Sequence, residues 1–241
     1  MLFITPQAHT ISKVTNKSTM TYVAFFDLDH TILRINSGEA ILRRAYKNGM
    51  LSFGRLMRAY CLAIMYKLKL IDSSAIIIKL GRWLAKSKVS DIETLCNEIV
   101  EKDLIPAIHP EIIDEIKKHK EQGAHLVILS SALDSICSPI AKHLGMNTVI
   151  CSELEVVNQY YTGRPVGKYC LKEEKVHRMN LYLQSNNYTR EDSYYYGDSI
   201  DDLPVLKSVG HPVCINPDKN LEKIAREKDW VIHTWATSKE V

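Results

Sequence analysis

The stretch "FFDLDHTIL", residues 25–33, places Asp27 and Asp29 one residue apart at the end of an apolar run. Carboxylates that close repel, and each raises the other's pKa unless a cation lies between them. The pattern returns further on: "GDSIDD", residues 197–202, sets Asp198, Asp201 and Asp202 directly behind the run "SYYY". Another apolar run, "HLVIL" at 125–129, ends in Ser130 and Ser131. If these runs lie side by side, their carboxylates meet at one edge. Such a set repels itself without a hard cation, and its all-oxygen chemistry suits Mg²⁺. Taken singly, each Asp or Ser behind a strand can be a cap for the next helix. Their joint occurrence points to one site.

The elements that must position them are legible. Short apolar runs recur at 22–26, 125–129, 148–151, 193–196, 212–215 and 230–232, with helical patterns at 110–122, 134–144, 171–184 and 218–228 between them. Continuous apolarity marks parallel strands covered on both faces. Strand alternating with helix predicts a doubly wound, Rossmann-like parallel α/β sheet. Ligands of such sheets sit beyond the carboxyl ends of the strands, where the Asp and Ser residues fall.

Residues 36–105 break the alternation with helix-length segments, including "GRLMRAYCLAIMYKLKL" (54–70) and "SSAIIIKLGRWLAKS" (73–87). About seventy residues exceed any ordinary strand–helix loop, which predicts an inserted helical subdomain. The stretch 153–167 alternates and carries Thr162-Gly163, which predicts a hairpin flap with its turn at that pair. Segment 54–70 is apolar but studded with Arg55, Arg58, Lys67 and Lys69. It is too interrupted to span a bilayer. It reads as a helix packed on the core, with a membrane-surface face as the alternative.

Composition narrows the class. The chain of 241 residues suits one large domain or a domain with an insertion, and a formal charge of +3 gives no footprint for nucleic acid. Residues 1–21 read as a polar extension without a secretory pattern, and Met20 is a candidate start. The six scattered cysteines read as free thiols of a reducing compartment, so a cytoplasmic setting is expected. Nothing in the sequence sets an oligomeric state.

The combination resembles the haloacid dehalogenase superfamily. "DLDHT" fits its first motif, D-x-D-x-T; "VILSS" fits the second; Lys175 in "CLKEEKVHRM" fits the third; "GDSIDD" fits the fourth, G-D-x-x-x-D. Within the superfamily the chain looks like the phosphoserine-phosphatase-like branch, subfamily IB. The resemblance implies a core of residues 22–35 and 106–241, with residues 36–105 as a type 1 helical cap. It also implies roles. Asp27 would attack phosphorus and become an aspartyl phosphate, and Asp29 would protonate the leaving group and then activate water. Mg²⁺ would bind the Asp27 carboxylate, the Asp29 carbonyl and Asp198, with Asp202 holding bound water around it. Ser130, Ser131 and Lys175 would hold phosphoryl oxygens, and Thr31 would orient the loop. Lys172 is the reserve for Lys175, and His30 reads as loop geometry.

The expected activity is hydrolysis of a small phosphorylated metabolite. Phosphoserine phosphatases of this branch carry an acid that receives the substrate's amino group. Here Asn36 stands at the equivalent spacing, with Glu39 a helical turn later. Alternatives are a histidinol-phosphate or phospholipid head-group phosphatase, a phosphotransferase or mutase, and a phosphate-binding protein without turnover. Arg55 and Arg58 are the charged cap residues most suited to reading the leaving group.

Overall fold

The computed structural model describes residues 22–67, 70, 71 and 73–236. The expected extension 1–21, Lys69 and residues 237–241 of the core lie outside them. The chain opens with β1 (Val23–Phe26). Helices α1 (Ser37–Lys47), α2 (Phe53–Lys67), α3 (Ser73–Leu84) and α4 (Val89–Ile99) follow, closed by a π-helical turn at Val100–Leu104. Then come α5 (Pro110–Glu121), β2 (His125–Leu133), α6 (Asp134–Leu144) and β3 (Thr148–Ser152). A hairpin of β4 (Leu154–Val157) and β5 (Tyr160–Pro165) leads to α7 (Glu173–Asn186) and β6 (Tyr194–Gly197). The last elements are α8 (Leu203–Leu206), β7 (His211–Ile215), α9 (Lys219–Glu227) and β8 (Val231–His233).

The main sheet has six strands in the order β3-β2-β1-β6-β7-β8, every neighbouring pair parallel. The expected Rossmann-like α/β sheet with a helical insertion and a small hairpin is therefore the observed fold. Alternate residues of β1 serve different cores: Ala24 and Phe26 join one apolar cluster, Val23 and Phe25 the other. Both faces are dry, so the sequence shows no alternation. Phe25 and Phe26 are fully buried, and burial on that scale stabilises by about 1.5–3 kcal/mol per side chain. The strand order reverses at β1, where β2 leaves on one side and β6 on the other. A crevice forms at such a switch point, and Asp27 is the first residue past β1.

The structure changes two local expectations. Strand β2 runs on to Leu133, with a register shift between Leu129 and Leu133. A bulge of this kind bends a strand and re-aims the side chains beyond it, here Ser130 and Ser131. The hairpin turns at Asn158 (φ 50) and Gln159 (φ 67), not at Thr162-Gly163. Two consecutive left-handed residues are the signature of a two-residue hairpin loop. Gly163 instead lies within β5 at φ 80, where an added Cβ would stand 2.8 Å from the Ala85 Cβ. Three backbone bonds stitch the hairpin to the α3–α4 connection: Lys86 N–H to Tyr161 O (2.8 Å), Tyr161 N–H to Ser87 O (3.0 Å) and Val89 N–H to Gln159 O (2.9 Å). Among the described residues no helix is long and apolar enough to cross a membrane. All six cysteines are free; Cys61 is exposed and the others are buried.

Candidate active site

Asp27 continues the β1–β6 pairing, its N–H donating to the Tyr196 carbonyl at 2.9 Å. This pins its side chain at the carboxyl edge of the sheet. The following loop closes through Leu33 N–H to Leu28 O at 2.9 Å, with His30 left-handed at φ 58. Thr31 is buried inside that loop and its hydroxyl donates to Asp198 at 3.4 Å. Both ends of the helical insertion meet here: Arg34 N–H reaches Ala107 O (2.8 Å) and His109 N–H reaches Ile32 O (3.0 Å).

Lys175, in the first turn of α7, projects into the same place. Its ammonium donates to Asp27 Oδ1 at 2.7 Å, Asp202 Oδ1 at 2.7 Å and the Tyr195 hydroxyl at 3.0 Å. Tyr195 donates in turn to Asp202 Oδ1 at 2.7 Å. The close approach of Asp202 requires Gly197, since a Cβ there would stand 2.8 Å from Asp202 Oδ2. Carboxylate oxygens of Asp27, Asp198 and Asp202 all lie within 4.8 Å of one another. Asp202 thus stands inside the group formed with Asp27 and Asp198. Asp218 braces the loop from behind: Oδ2 accepts from Ile200 N–H at 2.7 Å, while Oδ1 caps α9.

Asp29 is held differently. Its carboxylate turns to the insertion, accepting from Ser37 N–H at 2.8 Å and from the Asn36 side-chain amide at 3.0 Å. Asn36 also caps α1, its carbonyl oxygen accepting from Glu39 N–H at 3.0 Å. One side chain thus starts the insertion and orients Asp29. Ser130 is buried on β2, its Oγ accepting from Ala132 N–H at 3.3 Å, and Ser131 beside it is half-buried. Lys172, the reserve lysine, is outside the Asp27 group, with its ammonium 3.5 Å from Asp201. It precedes α7 at φ 44, ψ −116, and Glu174 N–H closes the turn onto Leu171 O at 2.8 Å. A turn of this hand asks for glycine at that position. Arg55 and Arg58 are exposed on α2.

Electrostatics follow from burial. Loss of water pushes the Asp27 carboxyl up to about 7, against the pull of Lys175 and with Asp202 adding to the rise. Burial also raises Asp29, opposed by the Ser37 N–H bond, and raises Asp198 well above the carboxylate range, aided by Asp202 and Asp27. Burial works against the Lys175 ammonium, yet Asp202 and Asp27 hold its pKa well above the usual lysine value. With all groups ionised, three carboxylates and one ammonium leave two net negative charges among Asp27, Asp198, Asp202 and Lys175. That deficit and the all-oxygen donors fit a divalent hard cation.

The residues Tyr195, Asn36 and Asp218 complete the arrangement without having been singled out as site residues from sequence. Tyr195 looks like strand filler within "SYYY". Asn36 was visible only as a departure from the family's acid. The cap signal at Asp218 was available in "NPDKNLEK", but nothing there tied it to the Asp198 loop.

Comparison with known proteins gives the same placement. The profile of the haloacid dehalogenase-like hydrolases matches residues 24–207. A probable phosphatase of Mycobacterium tuberculosis is 31% identical over 212 residues, covering 87% of this chain and 74% of that protein. A histidinol-phosphatase of Neisseria meningitidis is 30% identical over 227 residues, covering 88% of this chain and 98% of that protein. A substrate-bound phosphoserine phosphatase superposes with a TM-score of 0.69 at 17% identity, covering 89% of this chain and 93% of that one, which speaks to the fold. The chain belongs to the haloacid dehalogenase-like hydrolase family and is a phosphatase of that family.

Proposed function

We propose that the enzyme is a Mg²⁺-dependent phosphomonoesterase that works through an aspartyl phosphate on Asp27. The observation that carries this reading is the placement of Asp27 at the sheet's switch point, bonded to Lys175 and within 4.8 Å of Asp198 and Asp202 oxygens. Asp27, Asp198 and the Asp29 carbonyl would hold the cation, with Asp202 supporting them. Bound there, the cation would neutralise the acidic cluster and polarise the phosphoryl group.

The chain's own groups then divide the work. Asp27 attacks phosphorus; its new O–P bond replaces the bond to the ester oxygen, and Asp29 delivers a proton to the departing alkoxide. Burial raises Asp29, the direction that keeps a proton available for this step. Asn36 and Ser37 fix its position from the insertion side. Water then attacks the phosphorus of the acyl phosphate, passes its proton to Asp29 and frees Asp27 and inorganic phosphate. Lys175 and Ser130 would bind the phosphoryl oxygens, where charge spreads in the transition state. Residues 36–105 would act as the cap domain over a core of 22–35 and 106–241, excluding water while transfer proceeds.

The substrate is a small phosphomonoester, and Asn36 argues against phosphoserine. Its amide donates to Asp29, a bond that an acid at this position cannot supply. Histidinol phosphate is the second reading, favoured by the 30% identity with the Neisseria enzyme over 98% of its length. Steady-state rates on histidinol phosphate, phosphoserine and an aryl phosphate, each with Mg²⁺ and with EDTA, test both levels. Turnover undiminished by EDTA would refute the metal; phosphoserine as the best substrate would refute the argument from Asn36.

A further inference from the structure

Of the three groups that Lys175 bonds, Tyr195 alone carries no charge. The motifs that mark Asp27, Lys175 and Asp202 leave it out. Strand β6 lies between β1 and β7, pairing Tyr195 with Phe25 on one side and with Pro212 on the other. Its ring is fully buried in the core that Val23 and Phe25 enter. Backbone and ring are both fixed, so the hydroxyl stays where the strand puts it.

Three atoms close a triangle there. Lys175 Nζ donates to the Tyr195 hydroxyl at 3.0 Å, that hydroxyl donates to Asp202 Oδ1 at 2.7 Å, and Nζ donates to the same oxygen at 2.7 Å. A phenol can complete the triangle because one hydroxyl both accepts and donates. An ionised carboxylate in its place could accept from the ammonium but could not donate to Asp202. The triangle occupies two of the ammonium's three protons and leaves the third directed at Asp27 Oδ1, 2.7 Å away.

Asp27 does not hold Lys175 equally well throughout the reaction. While ionised it attracts the ammonium, but once esterified its oxygen is neutral and a weaker acceptor. A lysine head on its flexible four-carbon stem then needs other anchors. We propose that Tyr195 is a positioning residue for the second half of the reaction, keeping the Lys175 ammonium aimed at the phosphoryl oxygens after Asp27 has become an acyl phosphate. The proposal rests on the aspartyl-phosphate reading above and adds no proton transfer to it. Tyr195 keeps its O–H on Asp202, and the water that cleaves the acyl phosphate still passes its proton to Asp29.

Two measurements on the full chain test it. Acid quenching with a labelled aryl phosphate and Mg²⁺, followed by a chase of unlabelled substrate, gives the rates at which label enters and leaves the protein. In Tyr195→Phe label should leave about tenfold more slowly, the effect of one hydrogen bond to a charged group, while its entry slows by less than about threefold. A tyrosine that only supports the fold would lower the amount of label without changing either rate. That result, or an equal fall in both rates, would overturn the proposal. No label in the parent would refute the aspartyl-phosphate reading itself, and this proposal with it. The second measurement needs no turnover. In ¹⁵N-labelled protein with EDTA, the Lys175 ammonium, identified by its loss in Lys175→Met, should give a slowly exchanging proton resonance. Asp27→Asn, whose neutral side chain stands in for the esterified oxygen, should keep that resonance, and Asp27→Asn with Tyr195→Phe should lose it. Loss in Asp27→Asn alone, or persistence in the double variant, would overturn the role of Tyr195 and leave the covalent reading untouched.

Discussion

Replacing Lys175 with Met tests the electrostatic frame of the site without invoking turnover. The ammonium makes two 2.7 Å bonds, to Asp27 and Asp202, and a third at 3.0 Å to Tyr195, all buried. Methionine fills similar space but leaves two buried carboxylates facing each other without a cation. Removing one partner of a buried ion pair costs about 3–5 kcal/mol, because the remaining charge stays desolvated. Whole domains are stable by only about 5–15 kcal/mol, so the loss is a large share of the total. Urea unfolding in EDTA at pH 7 measures it. The double variant Lys175→Met, Asp202→Asn should lose less than the sum of its parts by about 2 kcal/mol, since neutral Asp202 no longer needs the ammonium. Magnesium should restore part of the single variant's deficit by supplying positive charge to the same carboxylates. A loss below about 1 kcal/mol, or strict additivity, would refute the view that Lys175 neutralises this cluster.

Other regions yield sharper local tests. His119 is buried, its ring nitrogens paired with Tyr22 (2.9 Å) and Tyr196 (2.8 Å), and burial pushes its pKa down to about 4. A histidine lowered in the folded state gives stability that is complete above pH 6.5 and declines as pH falls toward 4, here by up to about 3 kcal/mol. Urea melts at pH 7 and 4.5 should show His119→Gln losing less than the parent over that interval; parallel losses would rule the assignment out. Lys172→Gly should raise stability by about 1 kcal/mol, because glycine accepts φ 44 without strain; a drop in the melting midpoint would contradict this. Gly163→Ala should cost about 1–3 kcal/mol and leave the α3–β5 contact more open to protease, since both φ 80 and the 2.8 Å approach to Ala85 oppose a Cβ. Unchanged stability and cleavage would show that the contact is not close.

The sheet was readable because burial on both faces leaves its mark in composition. "YVAFF" and "HLVIL" are greasy at every position, and the structure lays alternate residues of β1 into separate cores. The end of β2 was not readable, because Ser130 and Ser131 are polar residues inside a strand that a bulge redirects. The hairpin turn went to the wrong pair for a related reason. Gly163 looks like a turn glycine, yet it is spent on close packing against Ala85, while Asn158 and Gln159 take the left-handed positions.

The site divides in the same way. That the carboxylates behind β1 and β6 would meet followed from the topology. Lys175, by contrast, lies 148 residues from Asp27 in the chain, and no local period relates them. Only the family motif singled it out. Asn36 was named for the acid it replaces, whereas the structure gives it two bonds, one fixing Asp29 and one starting α1. Tyr195 was invisible because a buried strand tyrosine looks like core until its hydroxyl finds Lys175 and Asp202.

The central claim is that Asp27 carries the phosphoryl group. Rapid acid quenching of the enzyme with a ³²P-labelled aryl phosphate and Mg²⁺ should trap label on the protein at up to one equivalent, released by hydroxylamine as an acyl phosphate requires. Asp27→Asn should show no label, and peptide mapping of the parent should place it in the fragment containing Asp27. Label on another residue, or full turnover by Asp27→Asn with none trapped, would contradict the account.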